Sequence, residues 1–167
     1  NVFRTCFLDA TQAKAMADYA ANELSAQKVA VLYDITDDYS LGVAESFKAE
    51  AEANGLEVVA FESFQSTDTD FKSQLSKIAA ADPDALYVPS YYNTNALIAI
   101  QAKEVGLDAQ LLGADGWDGV LSALDENNKS AVEGVVFTNH FTATDPDAKV
   151  QDFVTRYREA YGSDPSS

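Results

Sequence analysis

Short apolar runs recur along this chain, and between them apolar residues return every three to four positions. The runs Lys28 to Tyr33 (KVAVLY), Leu56 to Phe61 (LEVVAF), Ala85 to Val88 (ALYV), Gln110 to Gly113 (QLLG) and Gly134 to Thr138 (GVVFT) have strand length. Their near-continuous Val and Leu content suits strands covered on both faces. The stretches between them carry a helical period. Val43, Phe47 and Ala51 form a stripe that Gly55 stops; Phe71, Leu75 and Ile78 follow a capping candidate at Asp70; Leu97, Gln101 and Val105 precede Gly106. Asp145-Pro146 sets a cap and a first-turn proline ahead of Val150, Phe153, Val154 and Tyr157, and Gly162 ends that pattern. A further helix runs from Thr11 to about Ser25, with Ala13, Met16, Ala17, Ala20 and Leu24 on its inner face.

Strands alternating with helices define βαβ units around a parallel sheet. The expected fold class is therefore α/β: a three-layer α/β/α sandwich on a five-stranded parallel sheet in the flavodoxin-like order 2-1-3-4-5. In such a sheet a ligand lies beyond the carboxyl ends of the strands, which directs attention to the loops after strands one, three and four. The first, 34–42, offers Tyr39 just before a helix and Ser40 as its cap; Tyr39 either reaches a ligand or packs on the loop as a staple. The second, 89–94, runs a short strand into a helix N-terminus with Ser90 and Tyr91, where backbone N–H groups favour an anion or a carbonyl oxygen and Asn93 or Thr94 could cap. The third is Gly113-Ala114-Asp115-Gly116-Trp117. A carboxylate between glycines, followed by an indole, suits an ammonium ligand; the alternative is that Asp115 caps a helix beginning near Asp118 and Trp117 is core.

Composition narrows the function. The chain has 167 residues, 47% of them hydrophobic, enough for one domain with a real core. Its formal net charge of −16 opposes nucleic acid and phosphate-rich cofactors, and fits a solvated acidic surface. Apolar stretches fall far short of the ~20 residues of a membrane span. The opening Asn1-Val2-Phe3-Arg4-Thr5-Cys6 has no signal-peptide character. Cys6, the single cysteine, cannot form an internal disulfide and reads as a small buried apolar residue.

Enzymatic motifs are missing. The sequence contains no G-x-G-x-x-G, no G-x-x-x-x-G-K-[ST] and no G-x-S-x-G. His140, the single histidine, lacks the partners of a zinc site or a Ser-His-Asp triad and reads as a surface or edge residue. Asp34, Asp37 and Asp38 raise a phospho-receiver domain, yet Ser90 and Asn139 stand where that chemistry needs Asp and Lys. Asp68-Thr69-Asp70 and Asp145-Pro146-Asp147 lack the glycine and closing Glu of a calcium loop. Asn128-Lys129-Ser130 matches a glycosylation acceptor, a pattern frequent by chance. The expectation is a binding protein, not an enzyme, with no cofactor and no metal.

Several segments together resemble a known family. Val2-Phe3-Arg4-Thr5-Cys6 with Asp9 and Gln12, Val29 to Asp34 with Asp38-Tyr39-Ser40-Leu41-Gly42, and Gly113 to Trp117 are similar, in order and spacing, to branched-chain amino-acid (Leu/Ile/Val type) substrate-binding proteins of ABC transporters, of periplasmic-binding-protein fold type I. That family has two α/β lobes joined by crossover strands that close on an amino acid, and the chain resembles the second lobe alone. The resemblance implies ligand roles for Tyr39 and for Tyr91, and an ammonium-binding role for Asp115. Some relatives carry Glu where Asp115 stands, which shifts the ammonium position.

It also implies an organisation. Residues 1–10 would form the crossover strand from an absent lobe one, 11–162 the ligand-binding lobe and 163–167 a truncated return. The parent would be extracytoplasmic and would deliver an amino acid to the membrane permease of an ABC transporter; a ligand-sensing receptor lobe of the same fold is the alternative. If a parent binds at about 1 μM, or about −8 kcal/mol, losing half the contacts leaves about −4 kcal/mol, a millimolar interaction, so the lobe alone is expected to bind weakly or not at all. The exposed hinge strand Val2 to Leu8 would favour self-association.

Overall fold

In a computed structural model of the chain, the structure describes Phe3 and residues 6–165. The chain alternates as expected: α1 (Asp9–Asn22), β1 (Lys28–Asp34), α2 (Asp38–Ala53), β2 (Glu57–Phe64), α3 (Lys72–Ala80), β3 (Ala85–Val88), α4 (Tyr92–Glu104), β4 (Gln110–Gly113), β5 (Val136–Phe137) and α5 (Ala148–Tyr161). The five strands are parallel and ordered β2-β1-β3-β4-β5. The α/β class and the strand order read from sequence both hold.

Alternation along the central strands builds the three layers, because successive side chains leave opposite faces. Val29, Val31 and Tyr33 of β1, Tyr87 of β3 and Leu112 of β4 meet Ala13, Met16 and Ala17 of α1 and Val43 and Phe47 of α2. Phe47 stacks on Tyr87 at 4.1 Å between centroids. Ala30, Leu32, Leu86 and Val88 point the other way, onto Leu75 and Ile78 of α3 and Ile98 and Ala99 of α4, with Trp117 and Val120 completing that core. β1 and β3 are covered on both faces, whereas β2, at the sheet edge, is only half-buried along most of its length.

Several local expectations are corrected. Ser40 does not cap α2: Asp37 does, its Oδ1 accepting from Ser40 N at 2.8 Å, while Ser40 Oγ accepts from Asp34 N. On α4 the buried positions are Asn95, Ala96, Ile98, Ala99, Gln101 and Ala102, so Gln101 faces inward as expected while Leu97 is 40% exposed, because the apolar run 96–100 gives the phase of the helix no direction. Asp147 caps α5, Pro146 lies ahead of the first turn, and Val154 is buried where Phe153 stays exposed. β2 runs on to Phe64, whose ring meets Phe71 edge-on at 5.1 Å. Instead of a helix near Asp118, short 3-10 turns occupy Asp115–Trp117, Val120–Ala123 and Lys129–Ala131.

At the N-terminal end α1 begins at Asp9, inside the segment assigned to a crossover, and Cys6–Leu8 form no strand. Asn1, Val2, Arg4 and Thr5 of that expected strand lie outside the described residues. Cys6 is exposed, against the expectation of burial, because no strand draws its segment into the sheet. No helix among the described residues is long and apolar enough to cross a membrane.

Candidate functional site

The loops after β1, β3 and β4 do converge, and each is fixed by its own hydrogen bonds. Asp34, at the end of β1, is buried; its Oδ1 accepts from Thr36 N (2.8 Å) and Thr36 Oγ1 (2.6 Å), and its Oδ2 accepts from Ser66 Oγ. Asp34 and Asp37 therefore shape the loop and cap the helix. With the first turn of α2 fixed in this way, Tyr39 projects over the strand ends.

The Tyr39 hydroxyl donates to Asp115 Oδ1 and accepts from Gly116 N at 3.2 Å. Its ring lies 5.3 Å from that of Tyr91, the N-cap residue of α4. Asp115 is itself anchored through its backbone N, which donates to Gln12 Oε1 at 3.0 Å. The same Gln12 oxygen accepts from Thr138 Oγ1 at 2.9 Å, so one buried amide ties α1 to the loop after β4 and to the residue after β5. The second oxygen of Asp115, Oδ2, stands 3.0 Å from His140 Nε2, and the imidazole lies 4.3 Å from the Phe7 ring.

Gly116 allows this approach. A Cβ there would overlap the Ser90 carbonyl oxygen, a backbone atom that cannot move aside cheaply. Gly113 likewise gives room to Trp117, whose ring would meet any added Cβ.

These groups line a cleft of about 600 Å³ that also takes in Asp9, Tyr92 and Ser122. Tyr39, Tyr91 and Asp115 all belong to it. Two other expected ligand residues do not. Trp117 is fully buried, and its Nε1 donates to Val88 O at 2.7 Å, so its ring is core beneath the loop, held there by the glycine at 113. Ser90 is buried too, its carbonyl accepting from Asn95 Nδ2 at 2.6 Å under Gly116. Conversely, His140 reaches the cleft although it reads in sequence as an edge residue. Nothing near it in sequence signals that position, because its partner Asp115 lies on a different loop. Asp9 and Gln12 stand among the residues that carry the family resemblance, which is the signal that finds them.

Electrostatics keep the phenols neutral. Burial, then the hydrogen bond and charge of Asp115, push the Tyr39 hydroxyl above its ordinary pKa; burial, then Asp37, Asp115 and Asp9, raise Tyr91. Both remain hydrogen-bond donors at neutral pH. Among the described residues no three His, Cys, Asp or Glu side chains converge as a metal shell. A carboxylate flanked by two phenols is chemically suited to an ammonium group with an adjacent polar or apolar body.

The profile of the periplasmic binding protein family matches residues 1–167. The chain belongs to the periplasmic binding protein family. Among its relatives, the Leu/Ile/Val-binding protein homolog 3 of Brucella melitensis is 34% identical over 151 residues, which cover 89% of this chain and 40% of that protein. The leucine-binding protein LivK of Thermotoga maritima matches with a TM-score of 0.86 at 38% identity, over 98% of this chain and 46% of that one. The branched-chain amino-acid transporter substrate-binding protein LivJ of Streptococcus pneumoniae, solved in complex with isoleucine, gives a TM-score of 0.84 at 35% identity, over 96% of this chain and 45% of that one. The chain thus spans less than half the length of these periplasmic binding proteins, an extent that fits a single lobe. Such relatives are solute-binding proteins, not enzymes.

Proposed function

We propose that this chain is the second lobe of an extracytoplasmic solute-binding protein that captures an amino acid and passes it to the permease of an ABC transporter. The observation that carries this reading is the Asp115 carboxylate at the carboxyl edge of the sheet, with Tyr39 on one oxygen and the Tyr91 ring packed beside that of Tyr39. Asp115 pairs with the ligand ammonium, and the two phenols close over it as hydrogen-bonding lids. Isoleucine in the complex of a 35% identical relative supports a branched-chain amino acid as the ligand class.

In this reading residues 1–8, ahead of α1, and 163–167 are the crossings to a first lobe that grips the ligand carboxylate, and binding proceeds by hinge closure. The lobe alone meets only half of the ligand, so its affinity is about millimolar. Calorimetry on a two-lobed protein carrying this lobe tests the assignment: Asp115→Ala weakens amino-acid binding at least tenfold, about 1.4 kcal/mol or more. A change within about twofold contradicts the ammonium role.

A further inference from the structure

The wall of the cleft is acidic. Asp9, Asp115 and Asp118 contribute carboxylates and Tyr39, Tyr91 and Tyr92 phenols, and among the described lining residues the one basic side chain is His140. Its Nε2 lies against the oxygen of Asp115 that Tyr39 leaves, at 3.0 Å. The ring is steadied by Phe7 at 4.3 Å, and the backbone N donates to Asn139 Oδ1 at 2.7 Å. The His140 side chain is 30% exposed and Asp115's is 23% exposed, so solvent reaches the imidazole while it stays against the acid.

The two charge states of an imidazole in this place act differently on a ligand. Neutral, with the proton on Nε2, it donates one hydrogen bond and leaves Asp115 its full charge. Protonated, it forms an ion pair with Asp115, and a cationic head group then meets an acid already neutralised. The raised phenols of Tyr39 and Tyr91 do not change charge over the range in which imidazole does.

We infer that His140 is a positioning residue that sets the charge Asp115 presents, so that the cleft accepts an ammonium ligand when the imidazole is neutral and releases it when the imidazole is protonated. The inference rests on the reading of Asp115 as the ammonium partner and adds to it a proton-linked control of the same site.

The test measures the affinity of this chain for L-leucine by NMR titration at about pH 5 and about pH 7.5, a span across which imidazole titrates and the free amino acid stays zwitterionic. The chain as it stands binds about tenfold more weakly at the lower pH. His140→Gln keeps a neutral donor and binds equally at both values, within about twofold, at the affinity seen near pH 7.5. His140→Lys keeps a cation against Asp115 and binds weakly at both. A pH slope that survives in His140→Gln, or binding by His140→Lys as tight as by His140→Gln, overturns the inference and leaves the amino-acid reading standing. Absence of binding in every variant at both pH values overturns that reading and this inference with it.

Discussion

Trp117 shows how a single side chain can support a loop from beneath without lining the cleft above it. Its ring fills the core beneath the loop after β4, its Nε1 satisfies the Val88 carbonyl, and Gly113 leaves the space it occupies. Trp117→Phe removes that donor and part of the ring, leaving a buried carbonyl unpaired and a cavity; the expected cost is about 2–4 kcal/mol in chemical denaturation. A loss below about 0.5 kcal/mol would mean that the ring does not support the loop. In sequence, the glycine before an acidic turn and the indole after it look alike whether the indole faces ligand or core. Only the register, which pairs Val88 with Gly113, decides between them. Asp115 and Tyr39 were legible because both stand in loops after strands whose order could be read. His140 was not, because its meaning comes from an oxygen 25 residues away along the chain.

At the scale of elements, the short apolar strands were the most legible part of the fold. β3 and β4 begin and end where their flanking turns predict, since four residues between breakers leave little freedom of length. Helix faces were harder. The run Ala96 to Ile100 is apolar at every position, so its period does not tell that Leu97 points to solvent and Ile98 to the core. A second element-level device lies outside any apolar pattern: the Asp84 carboxylate, just before β3, accepts from Gln27 N at 2.7 Å and Lys28 N at 2.8 Å at the start of β1. The amides of Lys28 and then Gln27 hold its carboxyl below the usual carboxylate range. A carboxyl lowered by folding contributes stability that is fully present above its unfolded pKa of about 4 and is lost as pH falls through the lower folded value. Asp84→Ala is expected to cost about 1 kcal/mol near neutral pH, solvent exposure limiting the loss. The difference from the parent narrows below about pH 4 in urea titrations at graded pH. An unchanged gap across the acid limb would show that the charge of Asp84 does not matter to the pairing of β1 with β3.

For the whole molecule, charge and exposed apolar surface oppose each other. The net charge of −16 keeps copies apart, while Phe3 at 90% exposure, Leu8 at 57% and Tyr161 at 72% present apolar side chains that this chain does not cover. Screening weakens the repulsion beyond a distance of about 10 Å at 0.1 M salt, so light scattering should show a mass that rises with protein concentration and rises further with salt. A monomer at every concentration and ionic strength contradicts that expectation. The sheet order and the cleft both follow from βα alternation, which is a property of the whole chain and was open to reading from its pattern. The proposed function depends on chemistry at one edge of that sheet, and backbone NMR of the chain titrated with L-leucine tests it most directly. The account predicts fast-exchange shifts saturating in the millimolar range at Tyr39, Tyr91, Asp115, Gly116 and His140, and none of comparable size with 4-methylpentanoate, which lacks the ammonium. Equal responses to both compounds, or shifts confined to surfaces away from this cleft, would contradict it.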